Sequence, residues 1–178
     1  YFYIDHLRLV DPNVNTAFVK VAGKTMRPAE RLAIRLTSSS AYMAGLLVSL
    51  CVFEKRVAVL ACLYLAFVDT AAAFGGRFAS LYLGSNLNKK MGLSLQFKPS
   101  IHVERSEKSI GGFAAAFVTA VLIYYHMAND PKLWQLALSG VIGGVAEAFT
   151  IDGVDDDLSL PLLAGAMLTM FKPFLGLQ

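Results

Sequence analysis

A chain of 178 residues that is 56% hydrophobic and only 16% charged, with a mean hydropathy of +0.54, is too apolar for an ordinary soluble domain. Its formal net charge of +3 is too small to imply a nucleic-acid partner. The two cysteines, Cys51 and Cys62, lie in apolar runs and read as small buried hydrophobes rather than a disulfide, and no CxxC or histidine-rich metal spacing is present.

The elements in chain order describe an all-α, polytopic helical membrane protein with about five transmembrane helices in one membrane domain, residues 1–178. The first stretch, 1–37, is an interfacial segment. Its opening YFYIDHLRLV reads as the tail of another span; the chain begins at Tyr1 rather than Met, so an upstream piece is expected to be missing or removed, and no positively charged signal-peptide pattern precedes it. A helical hairpin over 38–74 follows, with spans Ser38–Phe53 and Val57–Phe74 joined by the short linker Glu54-Lys55-Arg56. A basic loop covers 75–110. The last part, 111–178, holds three further spans, Gly111–Met127, Leu133–Thr150 and Leu158–Leu175. Each is near the ~17–25 apolar residues that a bilayer crossing needs. Glycines and alanines suit close helix packing in lipid, and the Gly140/Gly144 pair reads first as core packing.

Short linkers at Glu54–Arg56 and Ala128–Lys132 return the chain to one side of the membrane. Three polar segments, Asp5–Arg35, Gly75–Ile110 and Ile151–Asp157, then share a face. The first two carry twelve of the sixteen Lys and Arg residues. The positive-inside rule makes that face cytoplasmic or its organellar equivalent.

On this face the residues with chemistry gather. Asp69 lies inside the apolar run VAVLACLYLAFVDTAAAF, where a carboxylate is costly and marks a functional site by default. Small residues follow it, then Gly76 and Arg77. Lys108-Ser109-Ile110-Gly111-Gly112 opens a helix, whose free N–H groups and dipole attract anions. Glu147 closes the fourth span. Asp152, Asp155, Asp156 and Asp157 crowd one short turn, where Mg²⁺, a hard cation that joins carboxylates to phosphates, suits them. Carboxylates for a metal beside cations and N–H groups for phosphate form a kit for phosphoryl or nucleotidyl transfer. Plainer readings stand beside it: solvated loop acids for Asp155–Asp157, interfacial snorkelling for Lys108, and a structural ion pair between spans for Asp69 and Glu147.

The order of these segments resembles the membrane CTP-dependent lipid kinases (dolichol kinase, phytol kinase and CTP-dependent diacylglycerol kinase), relatives of phosphatidate cytidylyltransferase. IDHLRL resembles their acid-x-x-Arg at the end of a span, and MRPAERL their Arg-x-x-Glu. LAFVDTAAAFGGRFA is similar to the Asp-x-x-Ala-x-x-x-Gly-Arg run, and EKSIGGFAAAF to the Lys-Ser-x-Glu-Gly-Ser element. GGVAEAFTIDGVDDDLSLPLLAG resembles the closing acidic block. The resemblance implies transfer of the γ-phosphate of CTP to a membrane alcohol with a divalent cation. It implies Asp69, Gly76 and Arg77 at the nucleotide and metal site, and Lys108 and Ser109 on phosphate. Glu147, Asp155 and Asp156 complete the acidic side. For such a kinase Asp69, Asp155 and Asp156 are assigned to the metal and Asp69 and Glu147 are the catalytic candidates, with Glu147 or metal-bound geometry alone serving the substrate hydroxyl. The chain departs from the pattern at Gly111 (often Glu), Gly112 (Ser) and Asp157 (Asn), and nothing in it matches the family's upstream Arg-Lys…His element. Ser80–Ile101 is longer than a minimal family loop. Two other functions compete: cytidylyl transfer to a phospholipid, and a catalytically inactive, kinase-like subunit of a larger membrane complex. An integral protein of the endoplasmic reticulum or an organellar membrane is expected.

Overall fold

The computed structural model describes residues 2–33, 36–82, 94–95, 109–151 and 154–177. They are almost wholly helical and fall into two compact units, Tyr1–Ala44 and Gly45–Gln178.

The first unit holds α1 (Phe2–Val10), α2 (Pro12–Ala22), the short α3 (Pro28–Arg31) and the start of α4 (Ser38–Val52). The chain breaks between α1 and α2 at Asp11. Its side chain accepts from the Asn13 N–H at 2.8 Å, and Pro12 takes the first helical position, where its missing N–H costs nothing.

The second unit holds the rest of α4 and one long helical run. That run comprises α5 (Lys55–Leu63), a π turn (Tyr64–Val68) and α6 (Asp69–Tyr82). Then come α7 (Ile110–Met127), α8 (Leu133–Ala148), α9 (Asp156–Met170) and α10 (Lys172–Leu175). Two residues, Ser94–Leu95 (β1), pair in parallel with Thr150–Ile151 (β2) and are the only extended pairing among the described residues. α6 packs on α7, α7 on α8, and α9 on α5 and α8.

Among the described residues two helices are long and apolar enough to cross a bilayer: Lys55–Ala79, 25 residues with mean hydropathy 2.1, and Ile110–Met127, 18 residues with mean hydropathy 1.6. The apolar helices α4 and α8 have 15 and 16 residues. At 1.5 Å per residue they fall short of a hydrocarbon core of ~30 Å. The expected fifth span is likewise divided, because α9 stops at Phe171 before α10 begins. Large apolar side chains such as Phe67, Phe74, Phe78, Val118 and Leu122 face outward, while Val57, Leu60, Tyr64, Ala116, Ala120 and Ile142 are buried. An apolar exterior over an apolar interior is the distribution a bilayer solvates.

The expected end of the second span at Phe74 is not a helix end. α6 runs on through Gly75 and Gly76 to Tyr82. These glycines are contact points: a Cβ on Gly75 would lie 2.7 Å from the Gly111 carbonyl oxygen and 2.4 Å from the Ala115 methyl. A Cβ on Gly111 would in turn meet the Gly75 carbonyl oxygen at 2.8 Å. The two backbones therefore touch. The Gly140/Gly144 pair works differently, for the Phe117 and Phe113 rings of α7 fill the spaces above them.

Candidate phosphate and acid site

Asp69 is the first residue of α6, directly after the π turn, and its N–H donates to the Tyr64 carbonyl five residues back. It is half-buried. Residues 69, 72 and 76 fall on one helical stripe. That stripe faces α7, since the Ala72 carbonyl oxygen lies 3.1 Å from where a Cβ on Gly112 would sit.

Ser109 is the N-cap of α7. Its backbone is extended (φ −119°, ψ 155°), and its hydroxyl accepts from the Gly112 N–H at 3.0 Å. This is the ordinary way a serine satisfies one of the orphan donors of a helix start. A Cβ on Gly76 would lie 2.8 Å from the Ser109 oxygen. Two expected site residues from distant parts of the sequence, Gly76 and Ser109, are thus in direct apposition. Asp69 lies on the same stripe, about 10 Å along the axis at 1.5 Å per residue. Arg77, one residue beyond Gly76, is exposed.

Glu147 is buried in the last turn of α8. Asp155 is the N-cap of α9 and accepts from the Asp157 N–H at 3.2 Å. Asp156 and Asp157, expected in a turn, form the first turn of that helix, where the dipole stabilises negative charge. Asp69, Arg77, Glu147, Asp155, Asp156 and Asp157 each already have an interacting partner. Lys108 and Asp152 lie outside the described residues, as do Arg35, Lys89, Lys90, Lys98 and Arg105.

Among the described residues no three His, Cys, Asp or Glu side chains come together as a metal cage.

The first unit carries a second polar cluster. Asp5 and Arg8 are fully buried and form an ion pair one turn apart on α1. Arg8 Nη1 also donates to the Glu30 carbonyl oxygen at 2.6 Å, and its guanidinium lies 5.8 Å from the Phe18 ring centroid. The two carboxylates converge on the start of α4. Asp5 Oδ2 accepts from the Thr37 N–H at 2.9 Å and the Thr37 hydroxyl at 3.0 Å. Glu30 Oε1 accepts from the Ser38 N–H at 3.0 Å and the Ser38 hydroxyl at 2.7 Å, while Oε2 accepts from the Arg27 N–H at 2.9 Å. Burial pulls both acids upward. Hydrogen bonds outweigh it, from Ser40, Thr37 and Arg8 for Asp5 and from Ser38 and Arg27 for Glu30, and both end below the usual carboxylate range. Neither acid was among the expected site residues. The signal was present as acid-x-x-Arg in α1 and Arg-x-x-Glu before α4, but the partners at Thr37 and Ser38 are distant in sequence.

This combination defines a helical protein, with two helices among the described residues apolar enough to cross a membrane, in which an acid and a helix N-terminus lie on packed helices. No family model and no solved structure matches the chain. Among curated proteins it is similar to CTP-dependent diacylglycerol kinase 1 of Schizosaccharomyces pombe, 28% identical in an alignment of 178 positions that covers 92% of this chain and 72% of the relative. It is also similar to the Eremothecium gossypii protein of the same name, 26% identical in an alignment of 189 positions that covers 93% of this chain. The chain spans 53% of that second relative, about half its length. These matches run across nearly the whole chain and make it similar to CTP-dependent diacylglycerol kinases.

Proposed function

We propose that the protein moves the γ-phosphate of CTP onto the hydroxyl of a membrane lipid alcohol, with diacylglycerol the first candidate and dolichol and phytol the others. The observation that carries this reading is the apposition of Gly76 and the Ser109-capped start of α7, with Asp69 on the same stripe. Gly76 lets the Ser109-capped start of α7 come close to α6, and N–H groups at that start suit a triphosphate's negative charge.

In this reading Ser109 and Lys108 hold phosphate, and Arg77 adds a bidentate fork. Asp69, Asp155 and Asp156 would hold Mg²⁺, which, when bound, neutralises phosphate charge as it develops. Glu147 accepts the proton of the lipid hydroxyl. Transfer in line needs little covalent help, so alignment and charge neutralisation carry the rate. The chain works as a single membrane domain with about five spans, its shorter helices crossing with the help of flanking residues, in the endoplasmic reticulum or an organellar membrane.

Purified protein in lipid micelles, given CTP, Mg²⁺ and each lipid alcohol, tests the proposal. The expected products are the phosphorylated lipid and CDP. Release of pyrophosphate instead would mean cytidylyl transfer. No turnover, no CTP binding and stoichiometric recovery within a larger assembly would mean a structural subunit.

A further inference from the structure

We propose that Tyr64 is a positioning residue: it fixes the axial height of Asp69 relative to Glu147, through the π turn that it opens. The inference rests on the reading of those two carboxylates as the acidic side of the transfer site.

Tyr64 is 0% exposed and is among the largest fully buried side chains of the molecule. It touches two structures at once. Its carbonyl accepts the Asp69 N–H, the bond that closes the π turn. Its hydroxyl donates to the Ser139 carbonyl oxygen of α8 at 3.3 Å. The ring passes beside Gly143, where a Cβ would stand 3.5 Å from it and 2.4 Å from the Ala120 methyl. A buried phenol needs an acceptor, and this one takes it from the helix that carries Glu147.

The direction of the helices gives the tie its consequence. The contacts Ala72 to Gly112 and Gly76 to Ser109 make α6 and α7 antiparallel. The contacts Gly140 to Phe117 and Gly144 to Phe113 do the same for α7 and α8. The Asp69 helix and the Glu147 helix therefore run in the same direction. Beyond the level where Tyr64 meets Ser139, both acids lie toward the same end. Glu147 is about 12 Å further along α8 at 1.5 Å per residue, and Asp69 is about one turn beyond Tyr64.

The π turn also sets direction. One extra residue in a helix rotates all that follows by about 100°. The helix changes partners here, for α5 packs on α9 while α6 packs on α7, and the turn itself touches α7, α8 and α9. Without the extra residue the 69/72/76 stripe would turn away from Ser109.

Two variants and a distance test this. Tyr64→Phe removes only the hydroxyl, and deletion of Ala66 returns the turn to α-helix. Spin labels at Phe74→Cys and Val141→Cys, both exposed positions, in a Cys51→Ser, Cys62→Ser background report the relative height of the two helices. Tyr64→Phe is expected to shift or broaden the label distance. It should lower kcat with CTP and diacylglycerol about tenfold while KM for CTP changes less than twofold. The deletion is expected to lower kcat at least a hundredfold. An unchanged label distance in Tyr64→Phe, or an unchanged kcat alongside an inactive Asp69→Asn, overturns the positioning role. If Asp69→Asn itself stays active, the site reading fails instead, and the label distance alone decides whether Tyr64 is the tie.

Discussion

The Ser109 hydroxyl lies 2.8 Å from the point where a Cβ on Gly76 would stand. This contact joins the small-residue run after Asp69 to the start of α7, two segments that the sequence separates by more than thirty positions. It also makes neighbouring glycines unequal. At Gly76 the nearest atom belongs to a side chain that can rotate away, whereas at Gly75 a methyl meets backbone and the Ala115 methyl.

Gly75→Ala is therefore expected to destabilise the fold by about 1–3 kcal/mol, the range for overpacking a tight contact. Gly76→Ala should cost only about 1 kcal/mol, the worth of the cap it displaces, but it should abolish CTP-dependent phosphorylation. Thermal unfolding in detergent with parallel activity assays separates the two. Equal stability losses would contradict the geometry.

Ser109 has two roles that substitution can divide. Ser109→Ala should lose about 1 kcal/mol of stability, while Ser109→Gly should lose only a few tenths, because glycine is a tolerable N-cap. If the hydroxyl also holds phosphate, both variants weaken CTP binding alike. Binding that tracks stability across the pair would leave Ser109 a cap alone.

Asp69→Asn keeps the size of the side chain and removes its charge. The expected result is at least a hundredfold loss of phosphoryl transfer, about 2.7 kcal/mol of transition-state stabilisation. The variant should fold as well as the parent or better, because a neutral amide is cheaper inside an apolar span. Activity within a few-fold of the parent would remove Asp69 from the site.

Glu30 makes an acid-sensitive contribution. Its folded pKa lies below the ordinary glutamate value of 4.5. Its stabilisation is therefore complete above that value and is lost as pH falls through the depressed folded value. Glu30→Gln lacks this linkage and should be less stable by about 1–2 kcal/mol near neutral pH. The gap between parent and variant should narrow on acidification below about pH 4.5. A gap that widens in acid would reverse the sign and exclude the mechanism.

Arg8 is the one cation facing Asp5 in the buried α1 network for which an ion pair is resolved among the described residues. Arg8→Met should cost about 3–5 kcal/mol, since it strands a buried carboxylate. Adding Asp5→Asn should recover much of that loss. Chemical unfolding of the single and double variants checks the coupling.

Much of this was legible in residue order. A carboxylate inside an apolar run is conspicuous whatever its neighbours, so Asp69 stood out. A serine before a helix, followed by an N–H three residues on, is a local capping pattern, and the structure has Ser109 doing that. Asp155 was recognisable as an acid at the entry to a helix, although its capping role became clear only when α9 proved to start at Asp156. The two longest apolar helices were expected from composition, because hydrophobicity over twenty residues is additive along the chain.

Other features belong to three dimensions. Gly75-Gly76 resembled a helix end, and only the approach of α7 makes it a contact surface. The π turn has no mark in composition; one extra helical residue is tolerated because Tyr64 finds an acceptor on α8 and α6 finds a groove on α7. Asp5 and Glu30 became caps of α4 because folding brought them to N–H groups far away in sequence. Residue chemistry by itself determined which groups are costly to bury, which start helices and which runs prefer lipid, since those are properties of side chains and their near neighbours. Packing alone decided which of these groups meet, because a meeting depends on helix register and rotation, and a single residue changes both.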